Sequence, residues 1–141
     1  MTEDPEAVVR AFLGALEQGD AERAAALLAD DVIYTNVTLP TLRGRDRVVR
    51  AMRFANERLG LGFRVHYNAV AVDGGTVLTD RIDELAIGPV AQRFWVYGRF
   101  EVRDGRIAVW RDAFDWLDIT IGLLRGLAGA VVPALNRRWP E

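Results

Sequence analysis

Val8, Val9, Phe12, Leu13 and Leu16 recur at three- and four-residue spacing, the pattern of a helix with one apolar face. Asp4-Pro5 stands just before them, a cap followed by a proline suited to the first turn. Gly19 ends this helix, and Asp20 is placed to cap a second one through AERAAALLAD to about Asp30. DVIYTNVTLP then reads as a short strand closed by Pro40. Asp46 is placed to cap a third helix bearing Val48, Val49, Met52 and Ala55, stopping near Gly60. Beyond it the period changes from helical to two. GFRVHYNAVAVD and TVLTDRIDELAIG flank Asp73-Gly74-Gly75, and QRFWVYGRFEVRD and GRIAVWRDAFDW flank Asp104-Gly105. These are two hairpins, with Gly88-Pro89 turning between them. Helices followed by a run of strands predict an α+β fold, with helices on one face of a curved antiparallel or mixed sheet. The chain reads as a single domain, 1–141, with 117–141 as a C-terminal apolar helix or tail. That run holds Asp118, Arg125, Pro133 and three glycines, so it is expected to lie on its own domain rather than span a membrane.

One strand breaks the apolar alternation. LTDRIDEL, residues 78–85, carries four charges in six positions. Val77, Thr79, Arg81, Asp83, Leu85 and Ile87 share one face, and Leu78, Asp80, Ile82, Glu84 and Ala86 the other. Whichever face turns inward takes charge with it, and buried charge is costly unless paired. The strand therefore either runs along a solvated rim or lines a polar pocket.

Composition narrows the chemistry. All 18 basic residues are arginine; lysine, cysteine and serine are absent, and His66 is the one histidine. Disulfides, thiolate and serine nucleophiles, lysine Schiff bases and multi-histidine zinc sites are thereby excluded, and no metal is expected. A net charge of −2 argues against a nucleic-acid partner. The acidic start MTEDPEAVVRAF enters a helix at once rather than reading as a signal peptide, so a cytoplasmic location is expected. Carboxylate acid–base chemistry is what remains for a catalyst.

On the last strand Ala108, Trp110, Asp112, Phe114 and Trp116 fall on one face, with Asp112 the single ionisable group of the stripe. On the first strand Tyr34 and Asn36 point the same way. With Arg81 and Asp83 these make five polar side chains placed to converge inside a sheet-and-helix cone. Alone, each has a plainer reading: a structural ion pair for Arg81 and Asp83, a pairing with Arg111 or a cap of the hairpin end for Asp112, a core tyrosine with one wet end for Tyr34. Trp95, Trp110, Phe114 and Trp116 read as core or pocket wall.

Taken in order, YTN, DRID and WRDAFD resemble the limonene-1,2-epoxide hydrolase family, and the opening EAVVRAFLGALEQGDAERAAALLADDV resembles the wider group of nuclear transport factor 2, ketosteroid isomerase and small polyketide cyclases. The resemblance covers most of the chain, at least residues 5–117, and implies a cone-shaped sheet enclosing a deep pocket. It implies that Asp83 is the general acid, Asp112 the general base, Arg81 the bridge between them, and Tyr34 and Asn36 the holders of the water. It further implies a cofactor-independent, one-step hydrolysis of a small lipophilic epoxide to a vicinal diol, and a homodimer formed through the outer face of the sheet. A ketosteroid-isomerase-like or polyketide-cyclase-like enzyme and a non-catalytic small-molecule-binding module are the alternatives. Arg81 between two carboxylates argues against an isomerase, which has no obvious need of that bridge, and the water-holding Tyr34 and Asn36 argue against a binding module.

Overall fold

The computed structural model describes residues 3–141. Asp4 accepts a hydrogen bond from the Glu6 amide, and the helix it caps, α1, runs Pro5–Glu17. Gly19, in the left-handed region at φ 67, turns the chain into α2, Ala21–Ala26, capped by Asp20 through the Arg23 amide. The second helix is shorter than its sequence predicts. The Leu27 carbonyl accepts from the Ile107 amide and Leu28 pairs with Ile107, so sheet formation overrides the alanine-rich helical propensity before Asp30. The chain continues as β1, Leu28–Asn36, and the two-residue β2, Leu42–Arg43. The third helix, α3, spans Arg45–Arg53 and passes into a π-helical turn, Phe54–Arg58. Its N-cap is Gly44, not Asp46, which lies inside the first turn. Four long strands follow: β3, Gly62–Asp73; β4, Thr76–Ile87; β5, Val90–Arg103; and β6, Arg106–Ala113. The final helix, α4, is Trp116–Val131, followed by a 3₁₀ turn at Pro133–Leu135.

The six strands form one sheet in the order β2-β1-β6-β5-β4-β3. All neighbours are antiparallel except β1 and β6, which are parallel. The apolar face of α1 meets the inner face of this sheet. Phe12, Leu13, Leu28, Val32, Val48, Val77, Phe100 and Ile107 have no exposed surface. Each such side chain contributes roughly 1.5–3 kcal/mol relative to leaving it in water.

β5 outruns its neighbour. Its pairing with β6 starts at Tyr97, leaving the backbone of residues 90–96 without a strand on that side. Side chains of the C-terminal segment fill the gap. Asp118 accepts from the Trp95 amide at 2.9 Å, Asn136 Nδ2 donates to the Ala91 carbonyl at 2.9 Å, and Arg137 Nη1 donates to the Arg93 carbonyl at 3.0 Å. Gly122 and Gly126 permit the close approach, because a Cβ at either would stand 2.5 or 2.6 Å from the carbonyls of Arg93 and Ala91. The opposite side of α4 carries Leu117, Leu124 and Val131 outward. Among the described residues no helix is long and apolar enough to cross a membrane.

Candidate active site

The inward face of β4 is Val77, Thr79, Arg81 and Asp83, all buried, while Leu78 on the other face is exposed. β1 and β6 lie in parallel register, placing Tyr34 beside Trp110 and Asn36 beside Asp112. β5 runs between β4 and β6, and its Gly98 pairs with Thr79 on one side and Asp112 on the other. Strand register alone thus brings Tyr34, Asn36, Arg81, Asp83 and Asp112 to the wall of one cavity of 430 Å³. The rest of the wall is largely apolar, with Leu16, Met52, Phe63, Leu85, Phe94 and Phe114 among its members.

Arg81 is completely buried and stands between the two acids. Its Nε and Nη2 donate to the two oxygens of Asp83 at 3.1 and 2.9 Å, a bidentate fork. The same Nη2 lies 3.2 Å from Asp112 Oδ1. Asp112 Oδ2 accepts from the Trp110 indole at 3.0 Å, and Asn36 Nδ2 donates to the Tyr34 hydroxyl at 2.7 Å. The Tyr34 and Trp110 rings stack with centroids 3.9 Å apart. Trp110 is therefore more than wall: its indole N–H is one of the groups holding Asp112. Trp95 and Trp116, by contrast, are not core residues. Trp95 lies on the outer face of the sheet, bonded through its indole to Asp80, and Trp116 opens α4, with its indole on Thr38.

Burial sets the protonation of this group. Asp83 is pushed up to about 6 by loss of solvent, against the pull of Arg81 and with help from the nearby Asp112 charge. For Arg81 burial opposes the charge, but Asp112 and Asp83 together outweigh it and raise the guanidinium further. Burial and Asp112 raise the Tyr34 hydroxyl above the usual phenol range despite the bond from Asn36, so it remains a neutral donor. The site holds one carboxyl that is protonated at mildly acidic pH, a second carboxyl a guanidinium away, and an apolar chamber opening on both. Proton donation and proton removal can act there on one bound molecule.

A curved mixed sheet with helices over a largely apolar concave pocket, with two buried carboxyls and an arginine on its wall, defines a nuclear transport factor 2-like fold. The profile of the limonene-1,2-epoxide hydrolase catalytic domain matches residues 3–125. Epoxide hydrolase EphG of Mycobacterium tuberculosis (strain ATCC 25618 / H37Rv) is 46% identical over 128 residues, 91% of this chain and 85% of that protein. The solved structure of an M. tuberculosis LEH-like epoxide hydrolase superposes with a TM-score of 0.89 at 44% identity, covering 97% of this chain and 100% of the other. An NTF2-like protein of unknown function from Burkholderia pseudomallei K96243 shares the fold at a TM-score of 0.73 and 18% identity, over 86% of this chain and 98% of its own. The chain belongs to the limonene-1,2-epoxide hydrolase family and is an enzyme of the epoxide hydrolase class.

Proposed function

We propose that this enzyme adds water to a small lipophilic epoxide in one concerted step, with Asp83 as general acid, Asp112 as general base and Arg81 bridging them. The observation that carries the reading is the buried Asp83–Arg81–Asp112 constellation at the wall of an apolar cavity. The Asp83 proton passes to the epoxide oxygen as the ring C–O bond breaks. Asp112 takes a proton from water as the water oxygen bonds to the ring carbon. A water in the nucleophile position would donate to Asp112 and to Asn36 Oδ1 and accept from the Tyr34 hydroxyl, leaving one lone pair for carbon. Neither charge then develops alone, and the acid and base act across the ring in a single transition state. Afterwards Asp83 is ionised and Asp112 neutral, and a proton returned by way of solvent resets the pair.

No cofactor enters this scheme. The apolar lining and the absence of lysine favour a neutral cyclic terpene, cycloalkene or sterol-like epoxide. Incubation with cyclohexene oxide and limonene oxide in oxygen-18 water tests the reaction. The expected product is a diol carrying one labelled oxygen from the first turnover onward. A first-turnover diol whose added oxygen came from the protein would instead indicate a covalent ester and overturn the one-step reading. The outer face of the sheet, with Trp95, Tyr97 and Leu78 exposed among Arg99 and Arg111, supports a twofold homodimer, since interfaces are enriched in aromatics and arginine.

A further inference from the structure

Five side chains carry the proposed chemistry, but the position of Arg81 among them depends on two residues with no part in it. Arg81 Nη1 donates to Thr79 Oγ1 at 3.2 Å, and the Thr79 hydroxyl faces the Gly98 carbonyl at 3.5 Å. Thr79 is 3% exposed, so water does not stand in for this bond. Gly98, the cross-strand partner of Thr79, lies against the same Nη1 end of the guanidinium. A Cβ there would lie 2.5 Å from Arg81 Nη1, 2.6 Å from Thr79 Oγ1 and 3.0 Å from Asp112 Oδ1. Gly98 is not among the glycines with positive φ, so its backbone does not demand glycine; the space does. Glycine in the interior of a central strand costs stability and marks a place where something must come close. Here it is the Nη1 end of the guanidinium.

A guanidinium is rigid, so fixing one nitrogen fixes the others. Nη2 is shared unequally, 2.9 Å from Asp83 Oδ2 and 3.2 Å from Asp112 Oδ1. Asp83 grips the group from one end through Nε and Nη2. Without an anchor at Nη1 the plane is free to tilt about that fork and carry Nη2 away from Asp112. We propose that Thr79 and Gly98 are positioning residues, which together seat the Arg81 plane so that it spans Asp83 and Asp112 at once. Thr79 supplies the third acceptor, and Gly98 the empty volume into which the Nη1 end fits.

The kinetic half of this inference rests on the proposed hydrolysis, whereas the seat itself does not. The test therefore combines turnover with carbon-13 titration of the Asp83 carboxyl in the full chain. Thr79→Val keeps the shape and removes the acceptor; its kcat should fall about 10- to 100-fold with KM nearly unchanged, the loss typical of a misplaced catalytic group. The Asp83 midpoint should move away from its wild-type value, because the guanidinium facing it has shifted. Thr79→Ser restores the hydroxyl and should restore both readouts. Gly98→Ala should lower kcat by a similar or larger factor, and if it fails to fold the Thr79 pair still decides. A Thr79→Val enzyme with wild-type kcat and wild-type titration overturns the seat, as does a Thr79→Ser enzyme as impaired as the valine variant. If the wild-type enzyme hydrolyses no epoxide offered, the titrations still judge the seat, and it is the functional reading that falls.

Discussion

Asp83 has to be neutral and Asp112 charged for the proposed reaction, and both face one guanidinium. Asp83→Asn and Asp112→Asn should each retain the fold and lose about 10²- to 10⁴-fold in kcat, the usual worth of a general acid or base. Retention of wild-type turnover by either would remove that residue from its role. Arg81→Lys should fail comparably, because an ammonium cannot reproduce the fork to Asp83 and the contact to Asp112 together. The pH dependence has a definite sign. Burial holds the proton on Asp83 up to about 6, so kcat/KM should fall as pH rises through that value. Because the unfolded chain releases this proton near the ordinary aspartate value, Asp83 favours the fold below about 4. That contribution is lost as pH rises through about 6. A kcat/KM profile flat from pH 5 to 8 would contradict the assignment of the acid. Alternation along residues 78–85 was enough to predict that Arg81 and Asp83 point the same way. The indole of Trp110, the hydroxyl of Thr79 and the bareness of Gly98 were not legible, since their meaning depends on which residues pair across strands. Trp110 in particular reads from the chain as one more aromatic in an apolar stripe.

Helix caps and hairpin turns were the most legible features of the elements. Asp4-Pro5, Asp20, Asp73-Gly74-Gly75 and Asp104-Gly105 all stand where the chain starts or reverses. Local chemistry sets these points, and local sequence reveals them. The end of α2 and the cap of α3 were misread for the opposite reason. Leu28 leaves the helix to pair with Ile107, nearly eighty residues away, and Gly44 supplies a backbone turn at φ 92 ahead of the acid that looked like a cap. The glycines of α4 read from the sequence only as arguments against a membrane span, whereas they set how near the helix sits to β5. Gly122→Val should force the helix off the Arg93 carbonyl, which as backbone cannot yield, and cost about 1–3 kcal/mol as overpacking does. Faster amide exchange at Trp95, whose N–H is held by Asp118, should accompany the lower unfolding midpoint. Unchanged exchange at Trp95 would mean that α4 is seated by other contacts.

At the scale of the whole molecule, the α+β class followed from the order of helical and alternating patterns, but the parallel pairing of β1 with β6 did not. No turn joins those strands; their pairing is a property of the assembled cone. Sedimentation at micromolar concentration should give a species of about twice 15.7 kDa, the twofold dimer being the commonest closed assembly. Tyr97→Glu on the exposed outer face should shift it toward the monomer, and a monomeric wild type would leave that face as plain solvated surface. Removing everything after Trp116 takes away Ile119 from the pocket wall and the groups that occupy the β5 edge. The shortened chain should lose activity and associate through that edge in light scattering. Full activity in a monodisperse sample would deny the segment both roles. The same dependence has a consequence in time. On the ribosome, β4 and β5 can zip together as soon as both have emerged, yet the far edge of residues 91–95 stays bare until Asp118, Asn136 and Arg137 have emerged in turn. For the interval between, each nascent molecule carries an adhesive ribbon, and neighbouring chains on one messenger carry the same ribbon in the same orientation. Slowing translation between the emergence of residues 91–95 and that of Arg137 would lengthen that exposure, so the yield of soluble enzyme should depend on how fast the codons read in that interval are translated, even where the finished proteins are identical.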